Sequence, residues 1–238
     1  MSNYQSVFER REVKYLLTRQ QRAALDERFA EHLTADRYGL HTICNLYFDT
    51  DTYQLIRTSI EKPVYKEKLR LRSYGVPRAG DPVFLELKKK FKHVVYKRRI
   101  AASLKQIGRY LDGGEEPQAS PHILAELTCF LARYRPVPKV YIAYDRLALF
   151  SQTDPALRVT FDQNIRWRTT DLDLSSGAYG SLLIDGDTSL MEIKTVGAMP
   201  LWLCRTLSDL RILPTSFSKY GVCYEKHLFS QSGGMICA

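Results

Sequence analysis

No apolar run in this 238-residue chain is long enough to span a bilayer, so no membrane-crossing helix is expected. The five cysteines, Cys44, Cys129, Cys204, Cys223 and Cys237, include no CxxC pair and are odd in number. Reduced thiols in a cytoplasmic protein are expected, not a disulfide framework or a zinc site. The histidines, His32, His41, His93, His122 and His227, stand at no metal-ligand spacing and are read as surface or satisfied side chains. The opening MSNYQSVFERREVKY lacks the apolar core of a signal peptide, so no leader is expected. A βαβ rhythm with a glycine-rich loop is missing, which argues against a doubly wound sheet. There is no internal repeat, low-complexity linker or compositional break. One domain over 1–229 is expected, with a disordered tail at 230–238, SQSGGMICA.

Acidic residues are also in short supply. Asp and Glu number 26 against 35 Lys and Arg, giving a net charge of +9 and a pI of about 9.3. Such a balance favours an anionic partner: nucleic acid, an anionic membrane or a polyphosphorylated small molecule. The apolar content of 45% is that of an ordinary globular protein with a sizeable core.

Periodicity predicts strands at 7–17, 42–50, 65–74, 83–91, 93–102, 139–149, 157–166 and 181–194. Thr18 is expected to cap a helix running through TRQQRAALDERFAEHL, and Ser103 one that stops at Gly113. Further helices are expected at 122–134 and 200–213. About eight strands and about four helices make an α+β protein built on an antiparallel sheet.

The polar faces of these strands carry the functional information. In YKEKLRLRSYG (65–75), Leu69 and Leu71 point one way, and Lys66, Lys68, Arg70 and Arg72 the other. The same parity sets Glu86, Lys88 and Lys90 against Leu85 and Leu87, and Glu12 and Lys14 against Val13 and Tyr15. It groups Arg158, Thr160, Asp162 and Asn164, pairs Glu192 with Lys194 and Tyr144 with Arg146, and puts Lys97 beside Arg99, where Arg98 interrupts the pattern. An open sheet wet on one face explains any single strand. It does not explain why Lys and Arg dominate the set while Ser, Thr and Gln are scarce. Nor does it explain the carboxylates Glu12, Glu86, Asp162 and Glu192 lying among the cations. A closed barrel with a charged lumen accounts for both, with the apolar faces outward under helices. Crowded cations repel one another, and a ligand with several negative charges relieves that repulsion.

The ordered segments RREVKY (10–15), NLYFDT (45–50), EKLRLRSYG (67–75), FLELKKK (84–90), KRR (97–99), YDRLAL (144–149), RVTFD (158–162), LMEIKT (190–195) and SFSKYG (216–221) resemble the polyphosphate polymerase (VTC) domain, a branch of the CYTH or triphosphate tunnel metalloenzyme superfamily. The resemblance implies an eight-stranded tunnel for triphosphate, nucleotide phosphates or polyphosphate, and a need for Mn²⁺ or Mg²⁺. Carried over by position, it implies that Lys14, Arg70, Arg72, Lys88, Lys97, Arg99, Arg146, Arg158 and Lys219 hold phosphates. Lys68 and Lys194 join them by parity. Glu192 is implied as the principal metal ligand, with Glu12 sharing it, and Ser218 and Lys219 as lying near the tunnel mouth. Glu86, Asp162 and Tyr144 are further tunnel candidates. The superfamily's hydrolases begin with ExExK, whereas Arg10, Glu12 and Lys14 stand here, which leans toward the polymerase branch.

Three functions fit these readings: transfer of the ATP γ-phosphate to growing polyphosphate, metal-dependent triphosphate hydrolysis, or non-catalytic sensing of polyphosphate or inositol polyphosphates. Nucleic acid is not the expected partner. The basic run KKKFKHVVYKRR (88–99) reads as two strands of one sheet, and Tyr134, Tyr141 and Tyr144 read as packing residues rather than a base-stacking platform.

Overall fold

The computed structural model describes residues 10–92 and 94–229; the expected tail, and residues 7–9 of the first expected strand, lie outside these. In chain order the elements are β1 (Arg10–Leu17), α1 (Arg19–Phe29), β2 (Leu33–Ala35), β3 (His41–Asp49), α2 (Gln54–Ile60), β4 (Tyr65–Tyr74), β5 (Pro82–Phe91) and β6 (Val94–Ser103). There follow α3 (Leu104–Leu111), α4 (Pro121–Tyr134), β7 (Val137–Ser151), β8 (Arg158–Arg168), β9 (Ser181–Leu182), β10 (Ser189–Val196), α5 (Leu201–Asp209) and α6 (Lys219–Cys223). No described helix is long and apolar enough to cross a membrane.

The protein is α+β, and its ladders β1–β10, β10–β8, β2–β7, β3–β4, β4–β5, β5–β6 and β8–β9 are antiparallel. Pairing follows the path β1-β10-β8-β7-β3-β4-β5-β6, with β2 added to β7 and β9 to β8. Among the described residues no ladder joins the ends of that path. The expected closed barrel of about eight strands is therefore corrected to an open sheet of ten. One physical reason lies at β1: Thr215 bridges to Lys14, its N–H donating to the Lys14 carbonyl at 2.7 Å, so part of that edge is already hydrogen-bonded.

The chain groups into two compact units. The first comprises β1 through His41, Tyr144–Ile165 and Ile184–Phe217. Thr18 closes a capping box on α1: the Gln21 N–H donates to Thr18 Oγ1, and the Thr18 N–H to Gln21 Oε1. The helix ends at Phe29, earlier than the periodicity predicts, because Leu33 leaves it to pair with Ser151 in the β2–β7 ladder. Leu25 and Phe29 of α1, with Leu203 and Leu207 of α5, bury the apolar faces of Tyr15, Val159, Phe161, Met191 and Ile193.

The second unit comprises Thr42–Ala143, Arg166–Leu183 and the residues from Ser218 onward. Here Leu69, Leu71, Leu85, Leu87 and Ile100 lie in one core with Ile107 and Tyr110 of α3 and Leu127 and Phe130 of α4. Full burial of each such leucine contributes about 1.5–3 kcal/mol. Arg98, which interrupts the alternation of β6, points to this helical side: its Nε donates to Glu126 of α4 at 2.7 Å. Asp49 anchors two helices. Its carboxylate accepts from the N–H groups of Thr50, Leu55 and Ile56 at the start of α2 and from the Tyr220 hydroxyl in α6, at 2.8–2.9 Å.

Candidate phosphate-binding site

In the second unit, register turns the alternating strands into a grid of charge. Lys66 stands opposite Lys90, Lys68 opposite Lys88, and Arg70 opposite Glu86. Across the next ladder, Glu86 faces Arg99 and Lys88 faces Lys97. Like charges directly opposite on neighbouring strands are destabilising. The grid is organised by a single carboxylate. Glu86 is 1% exposed and accepts from Arg70 Nε at 2.8 Å, Arg99 Nε at 2.8 Å and Lys97 Nζ at 2.7 Å, with Arg72 Nε 4.0 Å away. Burial alone would raise its carboxyl; Arg70, Arg72 and Lys97 outweigh that and hold it well below the usual carboxylate range.

The arginines are held from a second side. Arg72 Nε donates to Asn45 Oδ1 at 2.9 Å, Asn45 Nδ2 donates to the Ile142 carbonyl at 3.1 Å, and Arg70 Nη1 lies 3.4 Å from the Tyr47 hydroxyl. The lysines feel the crowding. Burial, then Lys90, Lys62 and Lys88, lower the pKa of Lys66; burial lowers that of Lys97 despite its bond to Glu86. Lys68 Nζ donates to Ser218 Oγ at 3.1 Å, and the same oxygen accepts the Gly221 N–H to cap α6, whose first residue is Lys219.

The first unit holds the other expected residues. Lys14 stands opposite Glu192 and Glu12 opposite Lys194; Glu192 in turn faces Thr160 and Lys194 faces Arg158. Lys194 Nζ lies 2.9 Å from Glu192 and 3.4 Å from Glu12, and Lys14 Nζ lies 3.8 Å from Glu192 while donating to the Phe217 carbonyl at 2.8 Å. Burial pushes the Glu192 carboxyl up, but Lys194, Lys14 and Arg146 prevail and hold it at about 2. Arg146 grips Asp162 with two hydrogen bonds, and its guanidinium lies 5.1 Å from the ring centre of Tyr144, which is buried. Arg158 is exposed and 3.8 Å from Asp36.

The expected residues thus fall into two groups, one in each unit. Asn45 and Tyr47, which the alternation does not single out, orient arginines; Lys66 and Lys90, read on the charged faces but not among the phosphate-binding candidates, extend the grid. Thr160 is 3% exposed and its hydroxyl has no partner, although it shares a face with Glu192. Parity alone groups Thr160 with Arg158 and Asp162, so the signal was present; its burial was not.

The donor set discriminates between kinds of metal site. Among the described residues no group of three or more His, Cys, Asp and Glu side chains converges on one point, so an all-protein cage does not fit. Glu86 and Asp162 are both 1% exposed and engaged by guanidinium groups. Glu192 and Glu12 ion-pair with Lys194 rather than with a guanidinium; with the unpartnered Thr160 hydroxyl they are oxygen donors of the kind a hard cation takes beside water and substrate phosphates.

The family model described as VTC domain matches residues 9–228. Among solved structures, a candidate adenylate cyclase from Bacillus halodurans aligns with a TM-score of 0.53 at 13% identity, covering 87% of this chain and 92% of that one. A candidate adenylate cyclase from Vibrio parahaemolyticus aligns at 0.48 and 11% identity, over 92% and 98% of the two chains. A candidate adenylyl cyclase from Hippeastrum, described as having a dominant triphosphatase activity, aligns at 0.48 and 16% identity, over 91% and 96%. No curated protein matches the sequence.

Proposed function

The chain belongs to the VTC domain family, and on that premise we propose that it transfers the γ-phosphate of ATP to the end of an inorganic polyphosphate chain. The observation that supports this reading most directly is the engagement of Glu86 and Asp162 by guanidinium groups. Hydrolysis has to activate water, which usually takes a free carboxylate or a second metal. A phosphate acceptor is already an oxyanion near neutral pH and needs no base.

The residues act by positioning and by neutralising charge. Within the second unit Lys68, Arg70, Arg72, Lys88, Lys97, Arg99 and Lys219 take phosphate oxygens; within the first, Lys14, Arg146, Arg158 and Lys194 do. The terminal oxyanion of the acceptor attacks the γ-phosphorus, the bond to the β–γ bridging oxygen breaks, and ADP leaves with that oxygen. Glu86 keeps Arg70, Arg99 and Lys97 in place, so their orientation costs little when substrate arrives. Glu192, Glu12 and Thr160 would hold Mn²⁺ or Mg²⁺, which would neutralise phosphate charge.

Incubation with ATP and Mn²⁺, followed by measurement of phosphate chain length, tests the reading. ADP with lengthening chains and little orthophosphate is expected. ADP with stoichiometric orthophosphate and no chains would make the protein a triphosphatase. Tight polyphosphate binding without either product, under any divalent metal, would make it a sensor.

A further inference from the structure

At the β5–β6 end of the second unit, large apolar side chains face water. Val64 is 62% exposed, Tyr65 42%, Phe91 46%, Val94 53% and Val95 47%. Register places Tyr65 opposite Phe91 and Phe91 opposite Val94, so three of them form one row across three strands. The Lys92 N–H donates to the Val64 carbonyl at 2.7 Å, which ties the turn to the segment leading into β4. Lys62 and Lys92, both exposed, flank the row, and Lys92 Nζ lies 5.6 Å from the centre of the Phe91 ring. Lys66 and Lys90 stand just behind. Glu61 is the exposed carboxylate nearest in sequence; Glu67 is buried against Lys89.

Soluble proteins seldom leave contiguous apolar side chains exposed without a partner. Aliphatic and aromatic residues at a tip, ringed by lysines, match an anionic bilayer in both respects: the apolar groups enter the headgroup boundary and the cations meet the surface charge. We propose that the row Tyr65, Phe91 and Val94, with the neighbouring Val64 and Val95 and with Lys62 and Lys92, docks this protein on an anionic lipid surface. The proposal rests on exposure and charge, and is independent of the phosphoryl-transfer reading.

The test is co-sedimentation of the full chain with vesicles of phosphatidylcholine alone or with about one-third phosphatidylserine, with excess inorganic triphosphate present to occupy the phosphate-binding residues. Binding to the anionic vesicles only is expected. Phe91→Ser with Val94→Ser should weaken it at least ~10-fold, and Lys62→Glu with Lys92→Glu by ~5-fold or more per lysine. All four positions are exposed, and unchanged thermal melting of both variants verifies the fold. Binding abolished by triphosphate would mean that headgroups enter the phosphate-binding residues, and would overturn the proposal. So would equal binding by the Ser variant. A concentration-dependent dimer in sedimentation, lost with Phe91→Ser, would assign the row to a second copy of the chain instead.

Discussion

Arg146 holds Asp162 through two hydrogen bonds, Nε to Oδ1 at 2.6 Å and Nη2 to Oδ2 at 2.8 Å, with the carboxylate 1% exposed. Breaking a buried pair by removing one partner leaves the other charge without compensation. Asp162→Ala should therefore cost about 3–5 kcal/mol of stability, read by urea denaturation. The double variant Arg146→Met, Asp162→Leu should be destabilised less than the single one. If Asp162→Ala melts like the parent, the pair has no structural role.

Lys88 faces Lys68 on one side and Lys97 on the other. Lys88→Ala should raise the stability of the ligand-free protein by about 0.2–1 kcal/mol through loss of like-charge pairing. The same change should weaken triphosphate binding by about 1.5–3 kcal/mol. Opposite signs in calorimetric melting and in titration are the signature. A variant that loses stability and keeps affinity would remove Lys88 from the binding face.

Lys66 gives up its proton more readily than an ordinary lysine, because of burial and of Lys90, Lys62 and Lys88. A bound polyanion reverses that effect, so binding at a pH where Lys66 is partly deprotonated should take up protons. Affinity should start to fall at a pH below the ordinary lysine value of 10.5. Titration calorimetry in two buffers of different ionisation enthalpy measures the uptake directly. Zero uptake at alkaline pH would contradict this placement of the ligand.

Glu192→Gln should abolish metal-dependent turnover and leave polyanion binding largely intact, since the amide keeps the shape and loses the charge a hard cation needs. The carboxyl is depressed from 4.5 to about 2 in the folded protein. Its contribution to stability is therefore present above about pH 4.5 and lost as pH falls toward about 2. The acid limb of the stability curve should be flatter in Glu192→Gln. Wild-type turnover by the variant would shift the metal to Glu12.

ATP, GTP and inorganic triphosphate should compete for one site with similar affinity, and all should weaken steeply with salt, because the assigned contacts are to phosphate. A strong preference for ATP over triphosphate would point to a nucleobase pocket.

The strands and their faces were readable from the alternation of residues such as Leu69, Arg70, Leu71 and Arg72, because a period of two survives any tertiary arrangement. What escaped reading depends on distant partners. Helix α2 has no side-chain cap at Tyr53; its N–H groups are satisfied by Asp49, which belongs to the preceding strand. The expected strand at 181–194 gives way to the short β9 and to β10, which begins only at Ser189, where pairing with Leu17 of β1 begins. Parity put Glu86 and Asp162 among the cations but could not say that arginines would surround them. Equally, no local pattern distinguishes a sheet that closes from one whose described end strands form no ladder.

Asp49 also imposes an order in time. The N–H groups it accepts from belong to residues 50, 55 and 56, so they leave the ribosome within a few residues of it. Its remaining partner, the Tyr220 hydroxyl, emerges 171 residues later. Until then this carboxylate has to remain hydrated or carry a proton, because nothing local completes its shell. The nascent chain can assemble its leucine-rich ladders early, yet the pocket around Asp49 seals only after Tyr220 has emerged. A ribosome stalled before Tyr220 should thus hold a protein whose α2 exchanges its amide hydrogens freely.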